Sequence, residues 1–65
     1  MKVREVVTLL QRDGWCLHSI QGSHRQFKHP RKPGRVTVPG HRSKDLAVGT
    51  LSSILRQAQL TKGNR

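Results

Sequence analysis

Apolar side chains recur at helical spacing in two segments of the chain, one near each end. The first segment is residues 3–13, VREVVTLLQRD, and the second is TLSSILRQAQL. Each places its apolar residues at i, i+3, i+4 and i+7, which is the stripe of an amphipathic helix. These residues are Val3, Val6, Val7 and Leu10 in the first, and Leu51, Ile54, Leu55 and Ala58 in the second. We therefore predict one helix that ends before Gly14 and another from about Gly49 to Gln59.

Three short segments between the helices have the composition of β-strands. They are Trp15–Ile20, His24–His29 and Arg35–Val38, which are separated by the turn formers QGS and PRKPG. Aromatic and β-branched residues between such breakers favour strands over helices. The buried face of the first strand is ambiguous, because Trp15 with Leu17 and Cys16 with Ile20 are both plausible inward pairs.

This order of elements predicts an α+β domain with the sequence α-β-β-β-α. Short connections make the three strands an antiparallel meander, and the two helices cover one face of that sheet while the other face stays open. A chain of 65 residues has room for a single core. We expect residues 1–60 to form this domain and residues 61–65 to be a frayed basic tail.

Strand alternation predicts which side chains lie on the open face. Phe27 is the only phenylalanine and should be buried against the helices. His24 lies an odd number of positions away from it, on the opposite face. Val36 and Val38 likewise share the covered face. The open face should therefore carry His24, Gln26, Lys28, Arg35 and Thr37.

The excess of positive charge indicates that the open face is a binding surface. The chain has 13 Lys and Arg against 3 acids, which leaves a formal net charge of +10. The acids are Glu5, Asp13 and Asp45, so the long segment between the last two contains no carboxylate. A surface charged only for solubility normally mixes both signs. We therefore expect a polyanion or an acidic protein as partner, and nucleic acid is the commonest polyanion.

Compartment and cofactor follow from the remaining composition. The single cysteine, Cys16, cannot form an internal disulfide, which favours a reducing, cytoplasmic location. Because no apolar run approaches the roughly 18 residues needed to cross a bilayer, we expect a soluble protein with no membrane partner. Four histidines without clustered spacing do not predict a metal site. We expect no cofactor.

A histidine on a cationic open face suits RNA cleavage. The 2′-hydroxyl must lose a proton as it attacks phosphorus, the leaving 5′-oxygen must gain one, and imidazole can do either near neutral pH. From the local pattern alone His24 fits this role, but a lone histidine on a strand is more often a plain surface residue. We interpret His18 and His29 as structural or surface residues, whereas His41, in the loop PGHRSK, could approach a phosphate. Ser23 and Arg25, which flank His24, join the candidate RNA contacts.

The residue pattern resembles the HicA (YcfA-like) toxins of bacterial and archaeal toxin–antitoxin modules. The matching segments are VREVVTLLQRDGW, GSHRQFKHPRKPGRVTVPGH and GTLSSILRQAQL, which together cover nearly the whole chain. The resemblance implies a double-stranded-RNA-binding-domain-like fold and an mRNA interferase that acts without the ribosome. It implies that the histidine of the GSH segment, His24, is catalytic. A HicB antitoxin would bind and mask that site.

Two departures and two alternatives accompany this resemblance. Gln59 stands where family members often have glycine, so the end of the second helix could differ, and the tail TKGNR has no assigned role.

A non-catalytic module for double-stranded RNA would have the same fold, but such modules use a lysine cluster at the start of the second helix. Here that region is SKDLAVGT, with one lysine beside an acid. An adaptor for an acidic protein is the other alternative, and self-association is left open by the sequence.

Overall fold

A computed structural model of the chain describes residues 1–60 and contains five elements. These are α1 (Val3–Arg12), β1 (Cys16–Gln21), β2 (His24–Lys28), β3 (Arg35–Val38) and α2 (Val48–Gln57). The order α-β-β-β-α is the one that the periodicity predicts. The predicted basic tail lies outside the described residues. Within them, neither helix has the length and apolar character needed to span a membrane.

The sheet has the order β1-β2-β3 with both pairs antiparallel. Its register sets Phe27 opposite Val36, and both side chains are buried together with Val38. Against them pack the apolar stripes of the two helices and Trp15. The buried residues from the helices are Val3, Val6 and Leu10 of α1 and Ile54 and Ala58 of α2 with its C-cap. Both helices therefore cover one face of the sheet, as in the double-stranded-RNA-binding-domain-like α+β fold.

The first strand contains an irregularity that the sequence pattern did not reveal. The pairing with β2 shifts between Leu17 and Ser19, so that Leu17 faces Phe27 and Ile20 faces Arg25. The extra residue, His18, inverts the alternation and places Leu17 and Ile20 on the same side of the sheet. Both remain exposed, at 47% and 56%. Of the two predicted inward pairs, Trp15 with Leu17 is the closer to the structure: Trp15, which precedes the strand, is buried, and Leu17 shares the covered face with Phe27 but stays exposed. The pair of Cys16 and Ile20 is wrong, because Cys16 lies opposite Lys28 on the open face.

Gln59 ends the second helix in the conformation that glycine usually supplies. Its φ is +59°, in the left-handed region. Its backbone N–H donates to the Arg56 carbonyl at 3.1 Å, and the N–H of Leu60 donates to the Leu55 carbonyl at 2.8 Å. These two bonds form a Schellman motif. The helix end therefore keeps its geometry despite the glutamine, which adopts a backbone conformation that L side chains rarely take.

Candidate active site

The open face of the sheet, meaning the side not covered by the helices, carries the five residues that alternation predicts for it. Gln26 lies opposite Thr37 and Lys28 lies opposite Arg35, while on the other side of β2 Gln21 faces His24. Residues directly opposite each other in an antiparallel pair share a face. Since Phe27 and Val36 occupy the covered face, these polar side chains lie together on the other one.

His24 is positioned by a tight turn. It is the first residue of β2 and follows the two-residue connection Gly22-Ser23 from β1. Gly22 has φ +61°, and no atom lies within 4 Å of where its Cβ would be, so conformation rather than space requires glycine there. The His24 side chain is exposed, and Ser23 beside it is half-buried. The imidazole is thus freely accessible at one end of the open face.

The cations of the open face have no carboxylate near them. Arg35 donates from Nη1 to the Gln26 Oε1 at 3.2 Å, which fixes both side chains between β2 and β3. The three acids are occupied elsewhere in the described chain. Glu5 accepts a hydrogen bond from the backbone N–H of Lys2. Asp45 forms an ion pair with the Nζ of Lys2, and Asp13 forms one with Lys32. The positive charge of the open face is therefore not neutralised by an ion pair within residues 1–60.

Arg25 lies on the other side of the sheet from His24. It pairs with Val38 on the covered face, is half-buried, and donates from Nη1 to the carbonyl of Gly40 at 2.9 Å. The sequence grouped it with the RNA contacts because it follows His24, but adjacent strand residues point to opposite faces. Its hydrogen bond to Gly40 holds the loop after β3 against the sheet. Arg25 therefore cannot contact an RNA that lies on the open face.

His41 lies in that loop, at the end of the sheet where His24 also lies. The antiparallel register brings Val38, the last residue of β3, beside Arg25, so the chain leaves the sheet next to the start of β2. The loop is then tied to the start of α1 by bonds from the Val3 N–H to the Lys44 carbonyl (2.9 Å) and from the Arg4 N–H to the Arg42 carbonyl (3.0 Å). His41 itself is exposed.

His29 is a structural residue, which is one of the two roles predicted for it. Its side chain is 7% exposed, its Nε2 lies 2.7 Å from the Asp13 carbonyl, and its Nδ1 accepts from the backbone N–H groups of Arg31 (2.9 Å) and Lys32 (3.1 Å). The ring also meets Trp15 edge to face, with centroids 5.1 Å apart. His18, at the β1 irregularity, is exposed. No group of three or more His, Cys, Asp or Glu side chains in residues 1–60 could hold a metal ion.

Comparison with known proteins gives the family. A family model described as the HicA toxin of bacterial toxin–antitoxin systems matches residues 3–60, which include both helices and all three strands. A search of the curated proteins finds none that matches the chain. The family match covers most of the 65 residues, including His24 and the rest of the open face. The chain therefore belongs to the HicA toxin family of bacterial toxin–antitoxin systems.

Proposed function

We propose that this toxin is an endoribonuclease that cleaves mRNA, with His24 as its catalytic residue. The observation that carries the proposal is the position of His24, which is exposed at the start of β2 on a sheet face that contains cations and no acid. Membership of a toxin family supports a damaging activity rather than passive binding. Cleavage of messenger RNA would arrest growth by stopping protein synthesis.

The chemistry needs two proton transfers on one phosphodiester. The 2′-hydroxyl oxygen attacks the adjacent phosphorus and gives up its proton to a base, while the bond from phosphorus to the 5′-oxygen breaks and that oxygen takes a proton from an acid. The products are a 2′,3′-cyclic phosphate and a 5′-hydroxyl. His24 performs one of the two transfers, for which imidazole is the usual side chain. DNA lacks the 2′-hydroxyl, so the reaction selects RNA.

Other residues of the open face bind the RNA. Lys28 and Arg35 lie at the end of β2 opposite His24 and form no ion pair in residues 1–60, so they bind phosphates of the RNA strand that continues from the cleaved bond. Arg35 is held by Gln26, and a fixed guanidinium loses less entropy when it binds phosphate. Three further residues complete the set of RNA contacts. They are Thr37 on the open face, Ser23 in the turn before His24, and the exposed His41.

A HicB-type antitoxin is the proposed protein partner, and it would neutralise the toxin by covering the open face. The family match supports a toxin–antitoxin context. An exposed cationic surface that has no internal carboxylate also favours an acidic partner. Binding there would block access to His24 without any change of fold.

Passive binding of double-stranded RNA has less support. The region just before α2 has Lys44 beside Asp45, and Asp45 forms an ion pair with Lys2 at 3.4 Å. This region therefore lacks the concentrated, unpaired lysines that a phosphate-binding helix start requires.

Replacement of His24 by alanine tests the proposed function. We expect the purified protein to cleave single-stranded RNA in EDTA, and His24→Ala to lower the rate by at least about 100-fold, the range of a lost acid–base group. Cleavage is followed by gel electrophoresis of a labelled RNA, and the fold by circular dichroism, which should not change because the side chain is exposed.

His18→Ala is the matched control, since it removes another exposed histidine from the same sheet. It should cleave at the rate of the unaltered protein. Undiminished cleavage by the His24→Ala variant would remove His24 from the mechanism. Loss of all activity in EDTA, restored by a divalent metal, would rule out the acid–base scheme.

A further inference from the structure

A cationic concavity lies on the covered side of the sheet, opposite the open face, between α1 and the strands. It encloses about 200 Å³ and is lined mainly by Arg4, Thr8, Gln11, Leu17, Arg25 and Arg42. We call it the arginine groove. The three arginines come from α1, β2 and the loop after β3, which are far apart in the sequence, so the charge pattern of the chain does not reveal the groove.

Two hydrogen bonds hold the elements around the groove together. The Arg4 N–H donates to the Arg42 carbonyl at 3.0 Å, and the Arg25 Nη1 donates to the Gly40 carbonyl at 2.9 Å. The first bond joins α1 to the loop, and the second joins the loop to β2. The three elements that carry the arginines are thus fixed relative to one another.

None of the three arginines forms an ion pair in residues 1–60, although Glu5 lines an adjoining pocket together with Arg4 and Arg42. No carboxylate lines the groove, and in residues 1–60 every ion pair of an acid is made with a lysine or a histidine. Glu5 is the nearest acid along α1, but its carboxylate accepts from the backbone N–H of Lys2 at 2.7 Å. Three like charges around one concavity repel each other, and an anion that binds there relieves the repulsion. Guanidinium groups suit phosphate oxygens, and Thr8 and Gln11 add hydrogen-bonding groups.

We propose that the arginine groove binds a phosphate of the RNA backbone that flanks the cleaved phosphodiester. This inference rests on the proposed function. Arg25 follows His24 directly on β2, so the groove and the open face meet at the same end of the sheet. The turn at Gly22 precedes both residues and is exposed. In the proposed binding mode the RNA strand passes over the edge of the sheet beside this turn, with one phosphodiester at His24 and a flanking phosphate at the arginines.

The test measures binding of a single-stranded RNA oligonucleotide in a His24→Ala background, so that the RNA stays intact. Arg4→Gln and Arg42→Gln remove exposed groove charges and leave the bond of Arg25 to Gly40 in place. We expect each to weaken affinity about tenfold, as for the removal of a charged hydrogen bond. The slope of log affinity against log salt should fall by about 0.7 for each phosphate that the variant no longer binds. Fluorescence anisotropy at several salt concentrations gives both quantities.

Arg56→Gln is the matched control, because it removes the same charge from an exposed site on α2 that lies away from the groove. Equal losses of affinity in the control and the groove variants would mean that only net charge matters, and would overturn the groove. The proposal also fails if the groove variants weaken binding of an antitoxin but not of RNA. If the unaltered chain fails to cleave RNA while the groove variants still weaken RNA binding, the nuclease proposal fails and the groove stands.

Discussion

His24 and His29 lie close together in the sequence, at the start and just beyond the end of β2, yet they have opposite environments. His24 is exposed and forms no side-chain hydrogen bond with the rest of residues 1–60, whereas His29 uses both ring nitrogens to bind backbone groups of two loops. Gly14 makes the second arrangement possible: its φ is +107°, and a Cβ there would lie 2.7 Å from the His29 Nε2. Of these two rings, only that of His24 is free to meet a substrate.

At the residue scale, this difference predicts opposite effects of the same substitution. We expect His29→Ala to lower the free energy of unfolding by about 2–4 kcal/mol, because it removes a buried side chain and leaves the backbone groups that the ring binds without their partner. His24→Ala should change it by less than about 0.5 kcal/mol, as is usual for an exposed position. Urea denaturation followed by circular dichroism measures both.

A second variant separates hydrogen bonding from volume at this site. His29→Asn keeps an acceptor near the position of Nδ1, where the N–H groups of Arg31 and Lys32 bind. It should therefore be more stable than His29→Ala. If His29→Ala were as stable as His24→Ala, the contacts of the buried ring would contribute nothing, and the structural role would be wrong.

At the scale of elements, the end of α2 contains strain that glycine would relieve. We expect Gln59→Gly to raise the free energy of unfolding by about 1 kcal/mol, since a left-handed conformation costs an L residue about 1–2 kcal/mol and glycine loses part of this gain through its unfolded-state entropy. Both Schellman hydrogen bonds use backbone atoms and persist in the variant. Differential scanning calorimetry or urea denaturation gives the change.

Gln11→Gly is the matched control for this prediction. It makes the same replacement inside α1, where the backbone is helical, and should destabilise the protein by about 1 kcal/mol. If glycine raised the free energy of unfolding at both positions, the gain at residue 59 could not be assigned to its left-handed conformation. A loss at both would show that the left-handed residue carries no strain.

At the scale of the whole molecule, the net charge of +10 opposes compactness. Raising NaCl from about 0.01 M to 0.15 M shortens the Debye length from about 30 Å to about 8 Å. We therefore expect the free energy of unfolding to rise with salt by an amount on the order of 1 kcal/mol, comparable to a few exposed charge pairs. The midpoint of urea denaturation at each salt concentration measures it.

A less cationic variant controls for other effects of salt. Arg31→Glu combined with Arg56→Glu changes two exposed arginines that lie outside the open face and the arginine groove. The salt-dependent rise should be smaller in this variant. A rise of equal size in both proteins would point to a general effect of salt on apolar burial rather than to screening of the excess positive charge.

Much of the fold was predictable because it depends on local pattern. Helical spacing identified both helices, and turn residues separated the three strands. The odd separation between Phe27 and His24 placed them on opposite faces, since side chains alternate along a regular strand. The irregularity in β1 was not predictable in this way. Its extra residue breaks the alternation, and the register is set by pairing with β2 rather than by the strand's own sequence.

The sequence by itself determined the order of elements, the polar composition of the open face, the excess of positive charge and the family pattern around GSH, because each of these is written in neighbouring or periodically spaced residues. Tertiary structure alone decided that Arg25 binds the Gly40 carbonyl, that His29 is enclosed by two loops, and that Arg4, Arg25 and Arg42 converge. These contacts join residues distant along the chain. They exist only after the helices and the loop after β3 have packed on the sheet.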